Sequence, residues 1–167
     1  MSQATLAVVI EGDTARIQVN GRATFECSES LKTFCSKVLS KDIANIALEM
    51  DNCAGMDSTF MGMLARISLE AKPKGTQILV VNINDDNKKN LCSLGLKNMF
   101  TFVDKSLDNG SFEDVDNAEI SQKDQRQNII DAHQTLIDVH EDNRKEFQDI
   151  VDFLNLEKEL EEGSDNE

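Results

Sequence analysis

The sequence predicts an α/β fold, a mixed β-sheet packed with helices and extended by one long C-terminal helix. Three observations carry that prediction: two alternating segments joined by a tight turn, two further apolar strands separated by helical periodicity, and a late apolar stripe. Leu6, Val8 and Ile10 mark the first strand. Ala15, Ile17 and Val19 alternate with Thr14, Arg16 and Gln18 as the second, and Gly12-Asp13 between them reads as a hairpin turn. Asn20-Gly21 is expected to end that strand.

A first helix is expected from Ser28 or Glu29, because Leu31, Phe34, Cys35, Val38 and Leu39 follow the i, i+3, i+4, i+7, i+8 rule. Ile46, Leu48 and Met50, alternating with Ala47 and Glu49, form a third strand. Phe60, Leu64, Ile67 and Ala71 then share one helical face, with Arg66 and Glu70 on the other. Lys72-Pro73-Lys74-Gly75 ends this second helix, since proline lacks the N–H that the helical ladder needs. Ile78, Leu79, Val80 and Val81 make a continuous apolar strand, as expected in a sheet covered on both faces, or mostly so, with helical crossovers. Asp85 or Asp86 starts a short helix ending at Gly95, with Leu91 and Leu94 on its apolar side. Met99, Phe100, Phe102 and Val103 return as a last strand or edge, giving the order β-β-α-β-α-β-α-β.

Charge divides the chain. The formal net charge is -14, of which residues 116 to 167 carry -11, from 16 acids and 5 bases. Residues 1–108 are read as the α/β domain, 109–124 as an acidic mobile connector, 125–162 as an amphipathic helix and 163–167 as a disordered tail. An acidic tail repels phosphate backbones, which argues against direct nucleic-acid binding. The helix carries a heptad-like seam of Ile129, His133, Leu136, His140, Asn143, Phe147, Ile150 and Leu154, widened by Ile130, Ile137 and Val151. Its polar centre disfavours a free coiled coil and suggests a break near Glu141 to Asn143. The seam therefore packs on its own domain, on a second copy as a homodimer, or on another partner.

The N-terminus has no basic stretch before its apolar run, and Glu11 interrupts that run, so neither a signal peptide nor membrane insertion is expected. A cytoplasmic protein is the expectation. Cys27, Cys35, Cys53 and Cys92 lack any CxxC spacing and read as reduced, mostly buried thiols.

Functional interest centres on Asp51 to Gly62, DNCAGMDSTFMG, where a buried strand gives way to an amphipathic helix. Ser58 falls at that junction, with Asp57 before it and Thr59 after. Either Ser58 or Asp57 is placed to cap the helix, whose unpaired N–H groups and dipole accept a phosphate readily.

The strand, the Asp57-Ser58 pair, the apolar stretch with Gly62 and the following helix resemble the phosphorylation segment of the STAS domain. Over about residues 4 to 110 the order of elements resembles that family too, most closely its bacterial anti-sigma-factor antagonists. The resemblance implies a STAS-like fold, and it implies that Ser58 is phosphorylated by a partner kinase that is itself an anti-sigma factor. It also implies partner switching: the unphosphorylated chain binds that serine kinase, and phosphorylation ends the complex. By the same resemblance, the loop Gly21 to Thr24, with Arg22 and Thr24, lies beside the serine and shares the interface. Asp57 and Thr59 flank the phosphate, and Met56, Phe60 and Met61 are candidates for the apolar docking surface, Met61 the better exposed. Many family members carry Ser-Gly-Leu-Gly where this chain has Ser-Thr-Phe-Met-Gly, which puts bulk at Phe60 and leaves partner identity open.

Enzymatic readings fare badly. The chain has no G-x-S-x-G elbow, no G-x-x-x-x-G-K loop and no G-x-G-x-x-G, and no base for Ser58 is identifiable. A regulator without catalytic residues or cofactors is expected. His133 and His140 lie about 10.5 Å apart along one helix, too far to share a metal ion. Half-buried packing or a pH-sensitive contact suits them better. A second functional reading keeps the STAS fold as a scaffold subunit of a larger signalling or lipid-transport assembly, with Ser58 only a cap and the acidic helix as the assembly element.

Overall fold

The computed structural model describes residues 4–117 and 119–165. Strand β1 (Thr5–Glu11) turns back on β2 (Thr14–Ala23) through Gly12, whose φ of 61° suits the tight reversal. Helix α1 (Phe25–Leu39) leads to β3 (Asn45–Glu49), then the short β4 (Cys53–Met56) and α2 (Ser58–Ala71). There follow β5 (Gln77–Val81), α3 (Asp85–Ser93), β6 (Thr101–Val103), β7 (Glu113–Val115), α4 (Gln122–Val139) and α5 (Asn143–Asp165). The strands lie in the order β6-β5-β3-β2-β1-β7, with β4 paired to the end of β2. Pairs β1·β2 and β1·β7 are antiparallel and the others parallel, so the sheet is mixed as the sequence implies.

The period of two assigns each strand residue to a face. Leu6, Ile17, Ile46, Leu48, Ile78 and Val80 belong to the main core, which α1 and α2 cover together. Among the described residues no second helical layer covers the opposite face. There Arg16 and Glu49, both buried, form an ion pair beneath the segment after β6. Arg16 Nη2 donates to Glu49 Oε1 at 3.1 Å and to the Asp108 carbonyl at 2.8 Å, and its guanidinium lies 4.8 Å from the Phe112 ring centre. The segment read as a mobile connector thus crosses the sheet and supplies β7 to its edge.

Four boundaries differ from expectation. β2 runs past Gly21, which takes φ 95°, to Ala23, because an irregularity at Gly21/Arg22 passes the strand from β3 to β4. α1 starts at Phe25, since Thr24 caps it. The single C-terminal helix is two antiparallel helices, tied where Arg126 meets Glu157 and Glu161. Asn143 makes the turn between them: its side-chain amide donates to the Leu136 and Leu94 carbonyls, fixing the hairpin to the end of α3. Lastly, α5 continues through residues 163–165 of the tail read as disordered, while 166 and 167 lie outside the described residues.

The four cysteines are free thiols, three buried and Cys92 partly exposed. Burial pushes the Cys35 thiol up to about 12 and Cys27 up to about 11. Since the thiolate is the reacting species, Cys92 is expected to take a maleimide at pH 8 at least about tenfold faster than the other three. Site-resolved mass spectrometry checks this; equal rates at all four would contradict the buried arrangement.

Candidate functional site

Asp57, not Ser58, caps α2. Its Oδ1 accepts the Phe60 N–H at 2.8 Å, and its Oδ2 accepts the Phe25 N–H at 2.9 Å. One carboxylate therefore serves the first turns of α1 and α2, and the Asp57 N–H completes the junction by donating to the Ala23 carbonyl at 2.9 Å. Such a cap is worth about 1 kcal/mol on each helix. It also leaves the Ser58 hydroxyl, on the first helical residue, free for another partner.

That partner is His133. Ser58 Oγ lies 2.8 Å from His133 Nε2, and His133 Nδ1 lies 2.7 Å from the Ile129 carbonyl. A carbonyl only accepts, so Nδ1 carries a hydrogen; in the neutral ring Nε2 is then an acceptor and Ser58 donates to it. His133 is 3% exposed and is backed by Phe147 of α5, with ring centres 5.1 Å apart. The arrangement sets one serine hydroxyl against a buried imidazole, a hydrogen-bond partner that sequence reading did not find.

His133 reaches Ser58 because α4 lies along α2 and touches α1. On α2, Gly62 faces the α4 backbone so closely that an added Cβ would sit 2.9 Å from the Ala132 Cβ and nearer still to the Ala132 carbonyl. Arg66 pairs with Asp131 at 2.9 Å, and Asn128 donates to Glu29 of α1 at 2.6 Å. A second close approach lies at the hairpin turn, where a Cβ on Gly95 would strike the His140 ring. Two residues without side chains thus admit the hairpin to the body of the domain.

A profile of the STAS domain matches residues 5–110. The chain belongs to the STAS domain family. Its fold is similar to that of the anti-sigma factor antagonist SpoIIAA in its unphosphorylated form, at TM-score 0.55 and 16% identity over 60% of this chain and 88% of that one. It is similar to the protein TM1081 of Thermotoga maritima, at TM-score 0.55 and 19% identity over 60% and 86% of the two chains. The Bacillus cell fate determinant SpoIIAA in its phosphorylated form gives TM-score 0.52 at 16% identity, over 61% and 91%. At such identities the likeness is one of fold. None of the curated proteins matches this sequence. STAS domains are typically non-catalytic. The hairpin of α4 and α5, with His133, lies beyond the matched residues.

Within this STAS domain the residues singled out from sequence divide in two. Ser58 and Asp57 are partly exposed at the start of α2, Thr24 is partly exposed as the α1 cap, and Arg22 is exposed nearby with its guanidinium beside Gly55. These four share one end of the sheet. Met56, Thr59 and Met61 are instead buried, at 7%, 5% and 8% exposure, and Phe60 is wholly buried. The expectation of an exposed Met61 fails because α4 covers the face of α2 that amphipathic spacing assigns to solvent. Among the described residues no group of three or more His, Cys, Asp or Glu is placed to hold a metal ion, and no helix is long and apolar enough to cross a membrane.

Proposed function

We propose that this STAS protein is an anti-sigma-factor antagonist that works by partner switching, with Ser58 as its phosphorylated residue. The observation that carries the reading is Ser58 itself, a partly exposed hydroxyl on the first residue of a capped helix in a STAS fold. The cap is made by its neighbour, so phosphorylation of Ser58 costs no helix capping. The likeness to SpoIIAA, an anti-sigma factor antagonist solved in phosphorylated and unphosphorylated forms, supports it.

In this reading the unmodified protein docks an anti-sigma serine kinase around Arg22, Thr24, Asp57 and Ser58. Ser58 Oγ attacks the terminal phosphorus of a nucleoside triphosphate; the new O–P bond replaces the bond to the diphosphate, and the hydroxyl proton leaves to a base. The phosphate adds about 1.5 to 2 negative charges beside Asp57, and the desolvated interface is lost without refolding. A protein so working is cytoplasmic and needs no cofactor of its own.

The test is capture from the protein's own cells. Immobilised unmodified protein is expected to retain a kinase that labels Ser58 from ATP, and a Ser58→Asp variant to retain at least about tenfold less. Equal retention by the two would remove the switch.

A second reading, a STAS scaffold subunit of a signalling or lipid-transport assembly, is favoured by one observation. Ile150, Phe153, Leu156 and Leu160 of α5 are exposed apolar residues. Assembly through α5, with Ser58 unmodified in the cell, is its signature.

A further inference from the structure

The contact between Ser58 and His133 joins the proposed modification site to a part of the chain outside the STAS match. We infer that docking of the α4–α5 hairpin and phosphorylation of Ser58 exclude one another, so that the hairpin is a built-in competitor for the face the kinase must cover. The inference rests on reading Ser58 as the phosphorylated residue.

Three observations converge on it. First, the hairpin occupies the surface next to the serine. α4 buries Ile130, Ala132, His133, Leu136 and Ile137, and it makes the most extensive helix–helix contact of the molecule with α2. A partner reaching Ser58 from that side meets α4 first.

Second, the chemistry of the contact has a sign. His133 Nδ1–H is engaged by the Ile129 carbonyl, which leaves Nε2 as the acceptor of the only proton Ser58 has. Phosphoryl transfer from a nucleoside triphosphate replaces that proton with phosphorus and its three oxygens, for which the 2.8 Å between Ser58 Oγ and the buried His133 Nε2 leaves no room, whichever proton the ring carries. The N–H groups at the start of α2 favour the phosphate where it is, whereas the neighbouring Asp57 carboxylate repels it and the close packing of α4 on α2 leaves no space for it against the hairpin. The phosphate stays with α2 and α4 yields.

Third, the hairpin is held by features that release as a unit. Its near approaches are to Gly62 and Gly95, its polar ties to the domain include Ser58–His133, Arg66–Asp131, Asn128 with Glu29 and Lys32, and Asn143 with the Leu94 carbonyl, and its apolar residues, Leu136 and Ile137 among them, join the core over α2. The sheet hydrogen bonds do not pass through it. Opening therefore breaks no strand pairing of β1 to β6, while it uncovers the apolar residues of α2 that α4 packs against.

The experiment is hydrogen–deuterium exchange on the full chain carrying phosphoserine at 58, installed during synthesis so that no kinase is needed. Unmodified protein and Ser58→Ala serve as closed references, and Gly62→Leu, which drives a side chain into Ala132, as the open one. Amides of α4 and α5 are expected to exchange about tenfold faster or more in the phosphoserine protein, close to Gly62→Leu, while β3 and β5 keep their protection. Hairpin exchange that matches Ser58→Ala overturns the inference. So does acceleration that spreads into β3 and β5, because that is loss of the whole fold. Whether cells phosphorylate Ser58 is read separately, by mass, and bears on the switch rather than on the hairpin.

Discussion

Alanine in place of Gly62 is expected to destabilise the protein by about 1–3 kcal/mol, although alanine is the better helix former by about 1 kcal/mol. The sign is the informative part. Gly62 lies inside α2 with ordinary backbone angles, so on an uncovered helix the substitution would stabilise. Here the new methyl meets the Ala132 carbonyl and Cβ, and a backbone carbonyl cannot rotate aside. Urea denaturation of the full chain checks this. A gain in stability would mean that α4 does not press on α2, and the account of how Ser58 is covered would fall with it.

Arg16→Met is expected to cost about 3–5 kcal/mol, the larger of the two effects, because Glu49 stays buried without its counter-charge. The loss exceeds that of a surface pair because the guanidinium also holds the Asp108 carbonyl, accepts the Phe112 ring against its plane and reaches Glu11 at 3.0 Å. Glu49 closes the strand that leads to Met50 and the Ser58 segment, so the ion pair anchors the approach to the site from behind. The double variant Arg16→Met, Glu49→Leu is expected to recover most of the loss, since an apolar pair removes both the charge and its desolvation. Single and double variants of equal stability would show that the buried pair does not hold the covering segment.

Strands β1, β2, β3, β5 and β6 and the helices α1 to α3 were legible because their apolar residues repeat or run together and Gly12, Pro73 and Gly95 punctuate them; β4 and β7, both short, gave no such pattern. Ser58 and Asp57 were legible as a pair, though not which of them caps: both side chains have the oxygen a cap needs, and the bond from the Phe60 N–H to Asp57 Oδ1 decides it. The face of α2 was misread for a physical reason. Periodicity shows a helix that has one buried side, and α2 has two, so Met61 was read as exposed and Thr59 as lying beside the phosphate, whereas both are buried. Gly62 was the available signal, since glycine inside a helix often marks a close approach. His133 and Asn143 stood out as polar residues in an apolar seam, but nothing local says that one meets a serine 75 positions earlier and the other the carbonyl of Leu94. Arg16 was hidden by alternation, which assigns it to solvent, and by the polar composition of the segment that covers it.

The central claim, that Ser58 is the phosphorylated residue of a partner switch, is tested most directly by intact-mass and fragment analysis of the protein purified from its own cells in growth and under stress. One added phosphate mapping to Ser58, absent from a Ser58→Ala variant and changing in occupancy between the two conditions, is the predicted result. A chain whose Ser58 is unmodified in both would contradict the account and move attention to the exposed face of α5.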